Sequence, residues 1–150
     1  RPEPPQDGGL FGAAPRRFTT RSQVGGVEYL QALRDVVVIL MIEKREAVEH
    51  LEEILAVPGI DMIQWGPGDY TVSIGKPGAR FDPETKAVER KVIEAAHHRG
   101  IPARAEIVAP EDAKYYLDLG VRHFNLNVDL WILLQWWTVN GKTLRDALPK

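Results

Sequence analysis

Short unbroken apolar runs alternate along the chain with segments whose apolar residues recur at helical spacing, and the alternation repeats four times. A short helix is predicted over Glu28 to Arg34. It is followed by Val36 to Ile42, seven consecutive apolar residues of which five are β-branched. Such a run reads as a strand buried on both faces of a parallel sheet. The second unit sets Ala47, Leu51, Ile54 and Leu55 on one helical face between Lys44 and Val57, stopped by Pro58-Gly59. A strand from Ile60 to Trp65 follows and ends in Gly66-Pro67-Gly68. In the third unit a helix from Pro83 to His98, opened by a first-turn proline and closed by Gly100, precedes a strand over Ala103 to Val108. The fourth pairs a helix from Pro110 to Gly120 with a strand from His123 to Val128. A last amphipathic helix from about Trp131 carries Trp136, Trp137 and Leu144. Strand alternating with helix in this way predicts an α/β fold with a parallel sheet.

Residues 1–27 do not share the pattern. Pro2, Pro4, Pro5 and Pro15, with the pairs Gly8-Gly9 and Gly25-Gly26, make this stretch loop-like. Its Arg16, Arg17 and Arg21 read as solvated loop arginines, or as part of a cover over a site.

Composition acts mainly by exclusion. The 150 residues are 44% hydrophobic, enough for a real core, and the net charge of -2 provides no basic field for nucleic acid or an anionic membrane. With no cysteine there are no disulfides, thiolate metal sites or cysteine nucleophiles. No apolar run reaches the ~20 residues that span a bilayer. The polar, proline-rich opening Arg1-Pro2-Glu3-Pro4-Pro5 reads as no signal peptide, so a cytoplasmic location is expected.

In parallel α/β folds chemistry gathers at the C-terminal ends of strands. The first strand ends in Glu43, the second in Gly66-Pro67-Gly68-Asp69, the third near Glu106, and the fourth at Asn125, Asn127 and Asp129. An ionised carboxylate at a buried strand end is costly without a compensating cation. Glu43 and Asp69 on neighbouring strands therefore suit a hard divalent metal, which takes oxygen ligands together with water and substrate oxygens. The plainer alternative is that Glu43 favours the start of the next helix and Asp69 caps a turn. Backbone N–H groups of Gly68 and Asp69 are placed to bind a carboxylate or phosphate oxygen, or simply to close a tight turn.

Other polar residues point elsewhere. His97 and His98 beside Arg99 suit a helix C-terminus, His50 an exposed Glu-rich face, and His123 the start of a strand, remote from the functional end. Arg104 and Glu106 share one strand face, as do Asn125, Asn127 and Asp129, and a hydrogen-bonded structural layer accounts for them better than a catalytic set. The stretch Leu130 to Trp137 is apolar almost all round and belongs in a core or, with its tryptophans, in a subunit interface. A homo-oligomer formed through this Trp-rich helix is expected.

The stretches Met41-Ile42-Glu43-Lys44-Arg45-Glu46-Ala47-Val48, Leu51 to Asp61 with its Pro58-Gly59-Ile60-Asp61, and Gly66-Pro67-Gly68-Asp69-Tyr70 together resemble the class II pyruvate aldolases. This is the HpcH/HpaI aldolase and citrate lyase family, whose members include 2,4-dihydroxyhept-2-enedioate and 2-dehydro-3-deoxyglucarate aldolases. The likeness is sharpest from Val36 to Gly78. It implies a (β/α)8 TIM barrel of which residues 1–150 are the C-terminal half, strands five to eight: a loop-rich 1–27, then four β/α units and a terminal helix over 28–150. The length agrees with a half, since a whole barrel takes ~200 residues or more.

The resemblance further implies that Glu43 and Asp69 hold a divalent cation (Mg, Mn or Co). It implies that the segment Gly66, Pro67, Gly68 and Asp69 binds the carboxylate of pyruvate or a related 2-oxo acid. The cation would act as a Lewis acid while a 4-hydroxy-2-oxo acid is cleaved to the 2-oxo acid and an aldehyde, with no lysine Schiff base. Gly68 and Tyr70 depart from the family's usual Ala and Leu. The family's base histidine and substrate arginine come from earlier strands, and none of His50, His97, His98 or His123 matches them, so the catalytic base is not assigned within this chain. The alternatives are a non-catalytic half-barrel that pairs with a partner and a small flavodoxin-like binding domain. The latter lacks a phosphate-binding loop after its first strand, where Met41-Ile42-Glu43-Lys44 stands.

Overall fold

The computed structural model describes residues 26–149, so the loop-like opening with Arg16, Arg17 and Arg21 lies outside the described residues. In chain order the elements are α1 (Val27–Arg34), β1 (Ile39–Ile42), α2 (Arg45–Glu49), α3 (Leu51–Leu55), β2 (Met62–Trp65), α4 (Pro67–Ser73), α5 (Pro83–His98), β3 (Ala103–Ile107), α6 (Ala113–Asp118), β4 (His123–Leu126) and α7 (Asp129–Ala147). All strands are parallel and lie in the order β1-β2-β3-β4. Because parallel crossovers are right-handed, this sequential order sends every connecting helix to the same face. A doubly wound flavodoxin-like sheet would reverse its strand order partway and cover both faces. The sheet is therefore built as part of a (β/α) barrel.

The covered face holds the core. Ile42, Ile63, Trp65, Ala103, Ala105 and Ile107 of the strands pack with Leu51 and Leu55 of α3 and with Val92, Ile93 and Ala96 of α5. The opposite face is open: Met41 is 47% exposed, and Val37 just before β1 is 62% exposed. Among the described residues helices cover only one side, which corrects the expectation of a first strand buried on both faces. The strand itself begins at Ile39, and Val38 is used instead to meet Asp61, whose Oδ2 accepts its N–H at 2.8 Å. Asp61 thus pins the start of β2 against β1.

Other boundaries also differ from expectation. The helix from Lys44 to Val57 is broken at His50 (φ -101°, ψ 23°) into α2 and α3. The helix expected from Pro110 begins as a 3-10 turn over Pro110–Asp112 before α6. β4 stops at Leu126 because Asn127 takes a left-handed φ of 58°, and its own Oδ1 accepts the N–H of Val128 at 2.8 Å. Among the described residues one charged side chain lies buried in the helical layer. Glu89 of α5, 2% exposed, accepts from Lys86 Nζ at 2.6 Å and from the Tyr116 hydroxyl of α6 at 2.9 Å. Burial, and then the Glu89 charge, push the Tyr116 hydroxyl well above the usual phenol range.

The terminal helix α7 was expected to be amphipathic. It is instead exposed on every side among the described residues, with Trp131 at 58%, Trp136 at 54% and Trp137 at 64%. No helix among the described residues is long and apolar enough to cross a membrane.

Candidate metal and substrate site

The C-terminal ends of β1 and β2 lie side by side, since Ile42 pairs with Trp65. Glu43 and Gly66 are the next residue of each strand. The Gly66 N–H donates to the Ile42 carbonyl at 3.0 Å, so the ladder continues to this point. Glu43 is half-buried and leans across Gly66, whose absent side chain leaves the room.

Directly after Gly66 the chain turns into α4, a short helix that the sequence reading took for a glycine-proline turn. Pro67 occupies the first helical position, where a missing N–H costs nothing and the fixed φ fits. Gly66 stands at the helix N-cap without a side chain to cap it, so the first-turn N–H groups of Gly68 and Asp69 have no partner within the helix. Asp69 lies in this same first turn, exposed, where the helix dipole favours its negative charge. The Lys44 ammonium approaches its Oδ2 at 3.7 Å, a cation already drawn to that carboxylate.

The loops bearing the two carboxylates are tied together. Ser73 at the end of α4 accepts the Arg45 N–H on its Oγ at 3.0 Å, and donates from the same hydroxyl to the Tyr70 carbonyl at 2.7 Å. Thr71 Oγ1 donates to the Gly68 carbonyl at 2.9 Å and tightens the first turn. Beneath, the Trp65 and Tyr70 rings meet at a 50° tilt with centroids 4.7 Å apart. The Trp65 indole N–H is buried without a hydrogen-bond partner, so packing alone holds this ring.

The structure thus brings Glu43 against Gly66, and Asp69 against Lys44, at one edge of the sheet's open end. Two carboxylates at neighbouring strand ends, with unpaired amide donors beside one of them, fit a small hard cation that keeps water or substrate oxygens in its other positions. Among the described residues no cluster of three or more His, Asp or Glu side chains has metal-binding geometry. Lys44, Arg45 and Ser73 were missed by sequence reasoning. The signal available was that Lys44 and Arg45 directly follow Glu43, whereas Ser73 gave none.

Further along the open face, Arg104 Nε donates to Gln64 Oε1 at 2.6 Å, and Gln64 Nε2 reaches Glu106 Oε2 at 3.4 Å. Asn125 donates from Nδ2 to the Asn127 carbonyl at 3.3 Å. The histidines lie elsewhere. His50 is exposed on the α2–α3 junction against Glu53. His97 and His123 line an open pocket of about 310 Å³ with Arg122, at the N-terminal ends of β3 and β4 and so at the opposite end of the sheet.

Comparison with known proteins gives a consistent picture. Residues 5–134 match the family model described as HpcH/HpaI aldolase/citrate lyase. The hydroxypyruvate/pyruvate aldolase of Chromohalobacter salexigens is 33% identical over 120 residues, 79% of this chain and 47% of that protein. The 4-hydroxy-2-oxo-heptane-1,7-dioate aldolase of Escherichia coli is 34% identical over 107 residues, 71% of this chain and 41% of that protein. Among solved structures, an HpcH/HpaI aldolase/citrate lyase family protein from Burkholderia cenocepacia superposes with a TM-score of 0.75 at 27% identity, covering 97% of this chain and 56% of that one. An HpcH/HpaI aldolase from Desulfitobacterium hafniense gives 0.71 at 26% identity, covering 94% and 55%. The chain spans about half the length of the curated relatives it matches.

Proposed function

Because the chain belongs to the HpcH/HpaI aldolase/citrate lyase family, we propose that it is the metal-bearing C-terminal half of a carbon–carbon lyase. The reaction is cleavage of a 4-hydroxy-2-oxo acid to pyruvate or a related 2-oxo acid plus an aldehyde, in the cytoplasm. The observation that carries this reading is that Glu43 directly follows β1 and Asp69 lies in the first helical turn after the adjoining β2, with a glycine between that leaves Glu43 its space. Glu43 and Asp69 would hold the divalent cation, Mg²⁺, Mn²⁺ or Co²⁺. When bound, such a cation supplies Lewis-acid polarisation of the 2-oxo group, which stabilises the negative charge that develops as the carbon–carbon bond breaks.

The chain's own residues do the binding and orienting. The N–H groups of Gly68 and Asp69, which have no acceptor within α4, would receive the substrate carboxylate. Gly66 and Pro67 set the backbone path that aims them. The Ser73–Arg45 link ties the loop after β1 to the end of α4. No residue of this chain is assigned as the proton-transferring base. The test is release of pyruvate from 4-hydroxy-2-oxo acids by the intact protein, with each metal and with chelator. Release that chelator abolishes and metal restores supports the reading. No release with any of the three metals sinks it.

We also place a second copy of this chain against α7. That helix carries Trp131, Trp136 and Trp137, each more than half exposed, together with Leu130, Leu133 and Leu134, a surface that apolar contact would bury. Sedimentation of the intact protein should give a homo-oligomer, and Trp136→Ser with Trp137→Ser should dissociate it. A native monomer would count against this assembly. The same helix and the two open sheet edges also favour a second reading, a half-barrel acting only as an interaction module. The pyruvate assay separates the two.

A further inference from the structure

Asp69 and Ser73 are four residues apart in α4 and so lie on one face of that helix. The face meets two consecutive residues of the loop that follows Glu43. Lys44 Nζ reaches Asp69 Oδ2 at 3.7 Å, and the Arg45 N–H donates to Ser73 Oγ at 3.0 Å. The two contacts differ in kind. Lys44 and Asp69 meet through exposed side chains, which impose little geometry. Ser73 instead grips the main chain, and Arg45 Nη2 adds a longer contact to the Ser73 carbonyl at 3.4 Å.

The same hydroxyl donates to the Tyr70 carbonyl at 2.7 Å, so both its donor and an acceptor position are engaged. A continuous path results. Glu43 is two residues from Arg45, Ser73 bridges Arg45 to Tyr70, and Tyr70 adjoins Asp69. Tyr70 and Thr71 are buried and anchor the other side of α4, with the Tyr70 ring against Trp65. The setting of this short helix about its own axis decides where Asp69 points, and the Ser73 bond fixes that setting against the loop carrying Glu43.

We propose that Ser73 is a positioning residue for the divalent cation: by holding α4 to the backbone of Arg45 it sets the Asp69 carboxylate relative to Glu43. This rests on the cation reading above, in which Ser73 itself is no ligand. Hydrogen bonds that orient ligating carboxylates from outside are worth about 10–100-fold in metal affinity.

Calorimetric titration of the intact protein with Mn²⁺ tests this, with the Tm of each variant measured alongside. Ser73→Ala should lower the affinity about tenfold. Its Tm should move little, because the Arg45 N–H is exposed and water replaces the lost acceptor. Ser73→Thr keeps the hydroxyl and should restore most of the affinity. The bond can also be cut from its other end. Arg45 opens α2, where proline is tolerated, and Lys44 before it already has the extended backbone (φ -127°, ψ 152°) that a following proline requires. Arg45→Pro therefore removes the donated N–H with little strain and should weaken Mn²⁺ binding as Ser73→Ala does. Losing a positive charge near a cation would by itself tighten binding, so a fall reports the lost bond. Combined in one protein, the two changes should cost no more than either alone. An affinity within about twofold of native in Ser73→Ala, or losses that multiply in the double variant, overturns the proposal. If Asp69→Asn weakens Mn²⁺ binding and Ser73→Ala does not, only the role of Ser73 falls. If the native protein binds no Mn²⁺, the cation reading falls and this proposal with it.

Discussion

Glu43 occupies the place where a side chain on Gly66 would be: a β-carbon there would lie 2.6 Å from the Glu43 β-carbon and 2.9 Å from its Oε2. The backbone of Gly66, at φ -113° and ψ 80°, is open to other residues, so steric pressure alone decides a substitution. Gly66→Ala should displace the Glu43 carboxylate at an overpacking cost of about 1–3 kcal/mol. Calorimetric titration with Mn²⁺ should then show affinity reduced about tenfold or more, since a carboxylate moved from its place is a ligand lost. An unchanged affinity would mean that Glu43 is not a ligand.

Lys44 offers Asp69 a competing positive charge at 3.7 Å, and both side chains are more than half exposed. Pairs of this kind contribute about 0–1 kcal/mol, so Lys44→Met should leave the Tm nearly unchanged. Freed of the ammonium, Asp69 should bind a divalent cation a few-fold more tightly, and more so at low salt. Weaker metal binding in this variant would show that Lys44 supports the site.

Tyr116→Phe removes the hydrogen bond from the Tyr116 hydroxyl to the buried Glu89 carboxylate and leaves the Lys86 ammonium against it. The expected loss is about 1–3 kcal/mol in urea unfolding, with α6 loosened from α5 in hydrogen exchange. A change below about 0.5 kcal/mol would mean that Lys86 alone satisfies Glu89.

His50 carries the clearest pH signature on the surface. A hydrogen bond from its Nδ1 to Glu53 Oε1 at 3.0 Å, and then the Glu53 charge, raise its pKa above the ordinary 6.5. A raised folded pKa means that the contribution is fully present below the unfolded value and is lost as pH rises through the folded one. NMR titration should place the imidazole pKa above 6.5, and Glu53→Gln should lower it toward that value. An identical pKa in both proteins would show that the pair does not persist in solution.

Much of this architecture was legible because each unit carries its own local punctuation. Pro83 begins α5 where a first-turn proline belongs, and Gly59 and Gly100 take positive φ where helices had to stop. Glu43 stood out as a charge ending an apolar run, and Asp69 as a charge after a glycine-rich turn. What escaped depends on partners distant in sequence or on rules that compete locally. Pro67 and Gly68 read as breakers, although a proline at the first position is also how a short helix starts. Gln64 meets Arg104, 40 positions away, only through the register of the sheet, which no local pattern displays. The tryptophans of α7 have an apolar pattern that says they want cover, but no pattern within one chain can say from whose surface it comes.

The strand order has a consequence for how the sheet forms. Each strand lies beside the one that precedes it in sequence, so every pairing closes only the loop and helix between two neighbours. No later segment has to be threaded between strands already joined. A polymer assembled in this way can be lengthened by a whole β/α repeat at either margin without breaking any bond already formed inside it.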